Sequence, residues 1–417
     1  MGEGQQAARS LAADIYIGRQ PIYDRELRVI GYELLYRSGA ANRAGPVDGD
    51  QATSQVILNA FLEIGLERLV GDRLAFINLT RGFLMAFPDL PLPREQVVLE
   101  VLEDIEVDEA VVRAVLELSR KGYRIALDDF IFHERLRPLV ALADIIKIDV
   151  LALSEGELIA HVARLRGPGR KLLAEKVEDQ AMFRRCRELG FDYFQGYFFC
   201  RPEVVKGRRP PASRLAVLRL LAELQNPDTS PQRLETLISA DAALSYRLVR
   251  LVNSPAFAPA RRIDSLRRAI VILGLRQLRA LASVLAMARI EDKPSELMTL
   301  ALVRARMSEL LARRLGTVDP DAAFTAGLFS VLDALLDQPM ETVIGEIPLA
   351  EEIGQALLGR AGPVGTVLDC VLRYEHAEWE RACCPGLPPE AIRDAYLEAL
   401  DWAREVQRTL QGAAGAA

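Results

Sequence analysis

Hydrophobic and polar positions follow different patterns in the two halves of this chain. In the first half, short apolar runs alternate with stretches of helical periodicity, which predicts parallel strands joined by helical crossovers. The predicted strands are 29–36, 73–79, 96–101, 123–129, 144–149, 171–175 and 191–199. The predicted helices between them are 51–69, 107–121, 154–166 and 178–189.

Two α/β architectures fit this alternation. Seven or eight strands in about 190 residues lie near the lower limit for a closed (β/α)8-like barrel. An open, doubly wound sheet is the alternative. No glycine-rich phosphate loop follows any predicted strand, which favours the barrel.

The second half of the chain has the pattern of packed helices. Leu278, Leu281, Ala282 and Leu285 repeat at helical spacing and predict one buried stripe. Ser230 before Pro231 predicts a helix N-cap. Of the 14 Phe and 10 Tyr residues, 18 lie in residues 1–205 and six in the rest, which places the sheet in the first half. We therefore expect an α/β barrel followed by an all-helical domain.

The stretch KGRRPPAS, residues 206–213, separates the two patterns. It is basic and contains paired prolines, which is typical of a linker. We accordingly place a linker at 206–213 and a helical domain at 214–410.

Composition narrows the functional classes. With 52 basic and 58 acidic side chains, a broad nucleic-acid footprint is not expected. No apolar run reaches the ~18 residues of a membrane span. The N-terminus has no apolar signal core and the five cysteines form no CxxC motif, so we expect a cytoplasmic protein. Three histidines, His133, His161 and His376, are too few for the usual zinc or histidine chemistry, which leaves oxygen ligands and hard cations.

Polar side chains recur near the ends of the predicted strands. Parallel barrel strands bring such ends to one face, where barrel enzymes have their active sites. The set is Glu33, Asn78, Glu100, Asp128 with Asp129, Lys147, Glu175 and Gln195.

This set predicts a metal site. Four of its members, Glu33, Asn78, Glu100 and Asp128, supply oxygen donors, which is enough for one or two hard cations such as Mg²⁺ or Mn²⁺. Lys147 could then orient water or stabilise developing negative charge. The spacing is compatible with metal-dependent phosphoryl chemistry and with metal-dependent enol chemistry, and it does not distinguish between the two. The alternative is that the carboxylates cap helices and that Lys147 forms a buried structural ion pair with Asp128 or Asp149.

Seven motifs carry a family resemblance. They are GYELLYR (31–37), NLT (78–80), VLEVLED (98–104), LDDF (127–130), IKID (146–149), AEKVED (174–179) and FQGYFF (194–199). In this order they resemble the EAL domain, which binds or hydrolyses the second messenger cyclic di-GMP. The resemblance covers residues 14–205 and implies a (β/α)8-like barrel with one strand reversed.

The resemblance also implies roles for individual residues. Lys147 is expected to position the attacking water, with Glu175 supporting it and Gln195 lining the site. Arg37 would contact a phosphate of the ligand, and Glu103 would steady the loop after the fifth strand. The implied metal ligands are Glu33, Asn78, Glu100 and Asp128, with Asp129 close by.

The chain departs from the family pattern in two places. The name-giving Glu-Ala-Leu is Glu33-Leu34-Leu35, and a loop that usually contains glycine is replaced by residues 131–135. That loop usually helps to organise the metals and a homodimer. Two hypotheses therefore stay open: a barrel that binds and slowly hydrolyses cyclic di-GMP, and a catalytically silent signalling adaptor.

The second half resembles the HDOD domain, a helical relative of the HD phosphohydrolases. The residues that carry this resemblance are 237–257 and 263–287. An HD hydrolase needs clustered histidine and aspartate ligands, and this half contains a single histidine, His376. The HDOD half is therefore expected to dock onto a signalling protein or onto the barrel, and to lack hydrolase activity.

Overall fold

A computed structural model describes most of the chain in two compact units, Met1–Phe199 and Cys200–Ala417. The described residues are 15–38, 64–86, 92–102, 105–130, 133–198, 212–226, 228–257, 263, 265–290 and 293–414.

The first unit is a closed barrel whose eight strands follow one another in chain order. β1 is antiparallel to both of its neighbours, β2 and β8, and every other pair is parallel. This confirms the barrel over the open sheet, and the reversed strand that the resemblance implied. The strands are β1 Ile15–Tyr23, β2 Val29–Ser38, β3 Leu74–Leu79, β4 Val97–Val101, β5 Arg124–Leu127, β6 Ile145–Asp149, β7 Lys171–Glu175 and β8 Tyr193–Gln195.

Strand β1 is the element that the sequence pattern missed. Its sequence, IYIGRQPIY, contains Gly18 and Pro21, and both residue types are unfavourable inside a strand. The strand nevertheless pairs with neighbours on both sides, because closure of the barrel supplies them. Two predicted strands were also too long: β5 ends at Leu127 and β8 spans only Tyr193–Gln195.

Helices connect the barrel strands, and polar caps mark where several of them begin. Asp108 and Asp179 accept hydrogen bonds from the backbone N–H groups of Val111 and Met182. The helices are α1 Leu66–Val70, α2 Arg81–Ala86, α3 Glu109–Arg120, α4 Arg137–Leu142, α5 Glu155–Leu165 and α6 Gln180–Leu189. The predicted helix 51–69 lies mostly outside the described residues.

The barrel interior is closed by an apolar layer. Its buried members come from six different strands, and each is at most 4% exposed. Side chains two residues apart on a strand point to the same face, so the next inward-facing layer begins two residues further along each strand. The members are Ile22, Phe76, Val98, Ala126, Ile145 and Leu173.

The second unit consists of helices throughout its described part. Ser230 caps its second helix by accepting a hydrogen bond from Arg233 N–H, which confirms the predicted cap. The helices are α7 Ala212–Gln225, α8 Pro231–Ser239, α9 Ala242–Val252, α10 Leu266–Leu273, α11 Leu275–Met287, α12 Ser295–Leu315, α13 Pro320–Phe329, α14 Leu332–Leu336, α15 Met340–Glu346, α16 Glu351–Gly359, α17 Gly362–Glu375 and α18 Pro389–Ala414.

Two helices of this unit can be compared with the predicted linker and the predicted buried stripe. Helix α7 begins at Ala212, so the last two residues of the predicted linker 206–213 are helical. Helix α11 buries Leu278, Leu281 and Leu285, as the helical stripe predicted. None of the helices in the described part of the chain combines the length and the apolar character needed to cross a bilayer.

Candidate functional site

A polar layer lies directly above the apolar layer of the barrel. On five strands the polar residue follows the apolar one by two positions, so both point inward. Three further polar residues, Glu33, Gln195 and Gln20, are brought to this layer by β2, β8 and β1. The five pairs are Phe76 and Asn78, Val98 and Glu100, Ala126 and Asp128, Ile145 and Lys147, and Leu173 and Glu175.

Lys147 is the centre of this layer. Its side chain is 1% exposed, and its ammonium meets four carboxylates from four other strands or their ends. The distances from Lys147 Nζ are 3.2 Å to Glu33 Oε2, 2.9 Å to Glu100 Oε1, 2.6 Å to Asp128 Oδ1 and 3.0 Å to Glu175 Oε1.

Two amides orient Glu33 within the layer. Asn78 Nδ2 donates to Glu33 Oε1 at 3.0 Å, and Gln195 Nε2 donates to Glu33 Oε2 at 2.6 Å. Gln195 Nε2 also donates to Gln20 Oε1 at 2.8 Å. The amino group of Asn78 donates to Glu33, so the side-chain carbonyl oxygen of Asn78 stays available to another group.

Burial and charge act in opposite directions on these groups. Burial would lower the pKa of Lys147, but the surrounding carboxylates hold that pKa well above its usual range. Burial raises the pKa of Glu100 well above its usual range and the pKa of Glu175 to about 8, against the attraction of Lys147. Burial also acts to raise the pKa of Glu33, but Lys147 and the two amides hold it below its usual range.

One ammonium does not satisfy four carboxylates. If all four are ionised, three negative charges are left uncompensated in the layer. Glu100 is fully buried; its Oε1 contacts the Lys147 ammonium at 2.9 Å, and its Oε2 has no hydrogen-bond partner among the described residues. Glu175 Oε2 is also buried without one. Such groups cost free energy unless a cation or a proton compensates them.

The donor set fits a hard divalent cation in its chemistry. It offers carboxylate and amide oxygens, which Mg²⁺ and Mn²⁺ prefer. Within the described residues, however, no three His, Cys, Asp or Glu side chains are spaced as ligands of one metal ion. The carboxylates surround Lys147 Nζ instead.

Asp129 points away from this layer. Its carboxylate lies 3.5 Å from Lys176 Nζ at the rim of the barrel, and Lys176 also meets Asp149 at 2.5 Å. Asp129 and Lys176 both have left-handed backbones, with φ of 42° and 57°. Residues other than glycine rarely adopt a left-handed backbone conformation, and those that do often belong to functional sites.

Gly196 fixes the end of β8 beside Gln195. Its φ is 148°, and a Cβ atom there would lie 2.0 Å from the carbonyl oxygen of Val177. Val177 N–H donates to the carbonyl of Gln195 at 3.0 Å. The close approach of these two backbones requires glycine and determines where the Gln195 side chain lies.

The structure thus brings together seven of the residues that the sequence singled out. Sequence reasoning gave no role to Gln20 or Lys176, although Lys176 lies in the quoted motif AEKVED. Gln20 was missed because β1 was not predicted. Glu103 and the replaced loop residues 131–132 lie outside the described residues, as does the side chain of Arg37 in β2. The seven are Glu33, Asn78, Glu100, Asp128, Lys147, Glu175 and Gln195.

The helical unit contains a buried ion pair of a different kind. Arg304 donates from Nε and Nη2 to the two oxygens of Glu375, at 2.8 and 2.6 Å, and from Nη1 to Ser330 Oγ at 3.1 Å. His376 is adjacent, and burial lowers its pKa. In this unit, too, no described His, Cys, Asp and Glu residues form a group of three that could hold a metal ion.

Comparison with known proteins gives two family matches. The EAL domain model matches residues 8–202, and the HDOD domain model matches residues 211–336. "Cyclic di-GMP phosphodiesterase CdgJ" of Vibrio cholerae is 37% identical over 405 residues, covering 95% of this chain and 94% of that protein. "Uncharacterized protein YuxH" of Bacillus subtilis is 33% identical over 399 residues, covering 93% and 98%. The predicted order of the two domains is confirmed.

Solved structures resemble part of the chain. A calcium and cyclic di-GMP complex of BlrP1 from Klebsiella pneumoniae is 24% identical, with a TM-score of 0.39. The match covers 45% of this chain and 56% of that one, so the chain spans little more than half of that structure.

Proposed function

Since this chain belongs to the family of proteins in which an EAL domain is followed by an HDOD domain, we propose that it is a cyclic di-GMP signalling protein. Its barrel binds cyclic di-GMP with divalent cations and slowly hydrolyses one phosphodiester bond to give the linear dinucleotide. The helical unit has a regulatory or docking role toward a signalling protein.

One observation carries this proposal: four carboxylates from four strands share one ammonium at the barrel centre. A structural ion pair needs only one carboxylate per ammonium, and the surplus costs free energy. Surplus negative charge at the active-site face of a barrel suits the recruitment of cations and, through them, of a phosphodiester. The relative from Vibrio cholerae, which matches over nearly its whole length, supports the same ligand through its name.

Each polar residue has a proposed role. Glu33, Asn78, Glu100 and Asp128 hold the cations, and Gln195 keeps Glu33 oriented through its 2.6 Å hydrogen bond. Bound cations would lower the pKa of a water molecule and neutralise charge on the phosphodiester. We expect Mg²⁺ or Mn²⁺.

Lys147 and Glu175 act on the attacking water. Lys147 Nζ lies 3.0 Å from Glu175 Oε1, and the two together would position the water. Arg37 contacts a phosphate of the ligand and Glu103 supports its loop. Asp129 remains at the rim with Lys176, where it is close enough to affect Asp128 but does not touch Lys147.

A second function is favoured by the same cluster. Lys147 already occupies the position between the carboxylates, and no described trio is spaced for a metal. In that reading Lys147 replaces the cations permanently, and the chain is a catalytically silent adaptor whose two domains serve protein contacts.

Single-turnover hydrolysis of cyclic di-GMP with Mn²⁺ tests the proposal. We expect slow formation of the linear dinucleotide by the wild type and none by Glu33→Ala. The exposed Glu188→Ala is the matched control and should behave as the wild type. A chimera carrying the usual family loop at 131–135 should turn over faster, because a misplacement of ~1 Å in such a site can cost ~10²-fold in rate.

Two other results would decide against hydrolysis or against binding. No product even from the chimera, with cyclic di-GMP still bound, would establish the silent adaptor. Calorimetry without heat at millimolar cyclic di-GMP, with and without Mn²⁺, would rule out both the ligand and the proposed site.

A further inference from the structure

Lys176 lies at the rim of the barrel, immediately after the inward-facing Glu175. Its backbone has a φ of 57°, in the left-handed region that lysine rarely adopts and that glycine adopts freely. Its ammonium lies 2.5 Å from Asp149 Oδ2 and 3.5 Å from Asp129 Oδ1, and its side chain is half-exposed. A strained backbone at a position that glycine would fill without strain indicates that the lysine side chain has a role at the rim.

Asp149 is the fixed end of this arrangement. Its Oδ1 accepts hydrogen bonds from the backbone N–H groups of Leu151 and Ala152, at 2.8 and 3.2 Å, and its Oδ2 contacts Lys176. Both oxygens of this carboxylate therefore have partners, and the shorter of the two lysine contacts is the one to this anchored group. Asp149 thus holds the Lys176 ammonium at the rim.

Asp129 is the loosely held member of the group. Lys176, at 3.5 Å, is the one partner that its carboxylate has among the described residues. The backbone on both sides of Asp129 is fixed, because Asp128 N–H donates to a carbonyl of β4 at 3.0 Å and Phe130 N–H donates to a carbonyl of β6 at 3.1 Å. The position of the Asp129 carboxylate therefore depends on the rotamer of its side chain, and Lys176 attracts that side chain to the rim.

This arrangement affects the cation site proposed for the barrel. Asp129 follows Asp128 directly in the chain, and carboxylate oxygens are ligands that Mg²⁺ and Mn²⁺ prefer. The affinity of an oxygen site for a divalent cation rises with the number of charged ligands. An ammonium that holds one carboxylate at the rim withholds that ligand from the cations, and its own positive charge repels them.

We propose that Lys176 is a positioning residue that holds Asp129 away from the cations of the barrel and thereby weakens cation binding. The inference rests on the proposed function, since it concerns the same cations. It supplies a cause of slow hydrolysis that is separate from the replaced loop at 131–135 and that a single substitution removes.

A double-mutant cycle on the full chain tests this role, with Mn²⁺ affinity measured by the electron paramagnetic resonance of free Mn²⁺. Lys176→Met removes the charge and keeps most of the side-chain length, and it should bind Mn²⁺ about tenfold more tightly than the wild type. Asp129→Asn alone should change the affinity by less than about twofold, because the carboxylate is already withheld. In the Lys176→Met background, Asp129→Asn should abolish the gain.

Two further variants serve as controls. Lys171→Met removes an equally exposed lysine that pairs with Asp192, and Lys176→Arg keeps the charge, so both should bind Mn²⁺ as the wild type does. Equal affinity in the wild type and Lys176→Met, or a gain that survives Asp129→Asn, would overturn the inference alone. Absence of Mn²⁺ binding in every variant would refute the proposed function and this inference together.

Discussion

Both units of this protein bury a cation among acidic side chains, but the two clusters differ in charge balance. In the barrel, Lys147 faces four carboxylates, and two oxygens that do not contact it, Glu100 Oε2 and Glu175 Oε2, are buried without a hydrogen-bond partner among the described residues. In the helical unit, Arg304 meets Glu375 through two hydrogen bonds that match its planar fork.

The difference separates a site from a structural contact. A guanidinium and a carboxylate that satisfy each other leave nothing for a ligand to gain. An ammonium surrounded by more carboxylates than it can neutralise leaves negative charge uncompensated, and an added cation can neutralise that charge. The number of carboxylates per buried cation therefore says more about function here than the mere presence of buried charge.

The largest expected effect comes from removing each cation. Lys147→Met and Arg304→Met should each lower the stability of their unit by about 3–5 kcal/mol, because buried carboxylates lose their partner. Millimolar Mn²⁺ should restore much of the loss in Lys147→Met and none in Arg304→Met. Differential scanning calorimetry with and without Mn²⁺ measures this, and equal rescue of both variants would abolish the distinction.

Neutralising one carboxylate should have opposite effects in the two clusters. Without metal, Glu100→Gln should leave the barrel as stable or more stable, because burial raises the pKa of Glu100 well above its usual range and only one of its oxygens contacts Lys147. Glu375→Gln should cost about 1.5–3 kcal/mol, because it breaks charged hydrogen bonds. Denaturation in the presence of a chelator compares them, and a loss of stability in Glu100→Gln would show that its charge is already compensated.

Backbone strain at the barrel site gives an intermediate effect. Gly196→Ala should destabilise the barrel by more than about 2 kcal/mol, since its Cβ would meet the Val177 carbonyl and its φ is unfavourable. The matched control is Gly169→Ala, with φ of 77° but open space around it, which should cost about 1 kcal/mol. If thermal denaturation shows equal losses of stability in the two variants, the close approach of Gly196 to Val177 has no part in the effect.

The smallest effect is expected at the rim. Lys176→Ala should change barrel stability by less than about 1 kcal/mol, because its pairs with Asp129 and Asp149 are half-exposed. Lys171→Ala, which removes an exposed pair with Asp192, is the control and should behave alike. A much larger loss in Lys176→Ala would make the rim part of the buried charge cluster.

Much of the barrel site was predictable from the sequence. Polar residues at the ends of apolar runs indicated which side chains meet, because parallel strands of a barrel align their ends. The inward direction of Glu100 and Lys147 follows from two-residue periodicity after Val98 and Ile145.

The rest depended on tertiary context. Strand β1, with Gly18 and Pro21, has little strand character until β2 and β8 pair with it, so Gln20 could not be placed. The outward turn of Asp129 arises from a left-handed backbone that its neighbour Asp128 does not share, and no residue pattern marks it.

The central claim is that surplus carboxylates make the barrel cluster a cation site. Titration of Mn²⁺ into the full chain, followed by the electron paramagnetic resonance of free Mn²⁺, tests it most directly. We predict at least one tightly bound Mn²⁺ per chain in the wild type, and affinity weakened at least about tenfold in Glu100→Gln, which loses a charged ligand. No binding below millimolar Mn²⁺, or the same affinity in Glu100→Gln, would contradict the account.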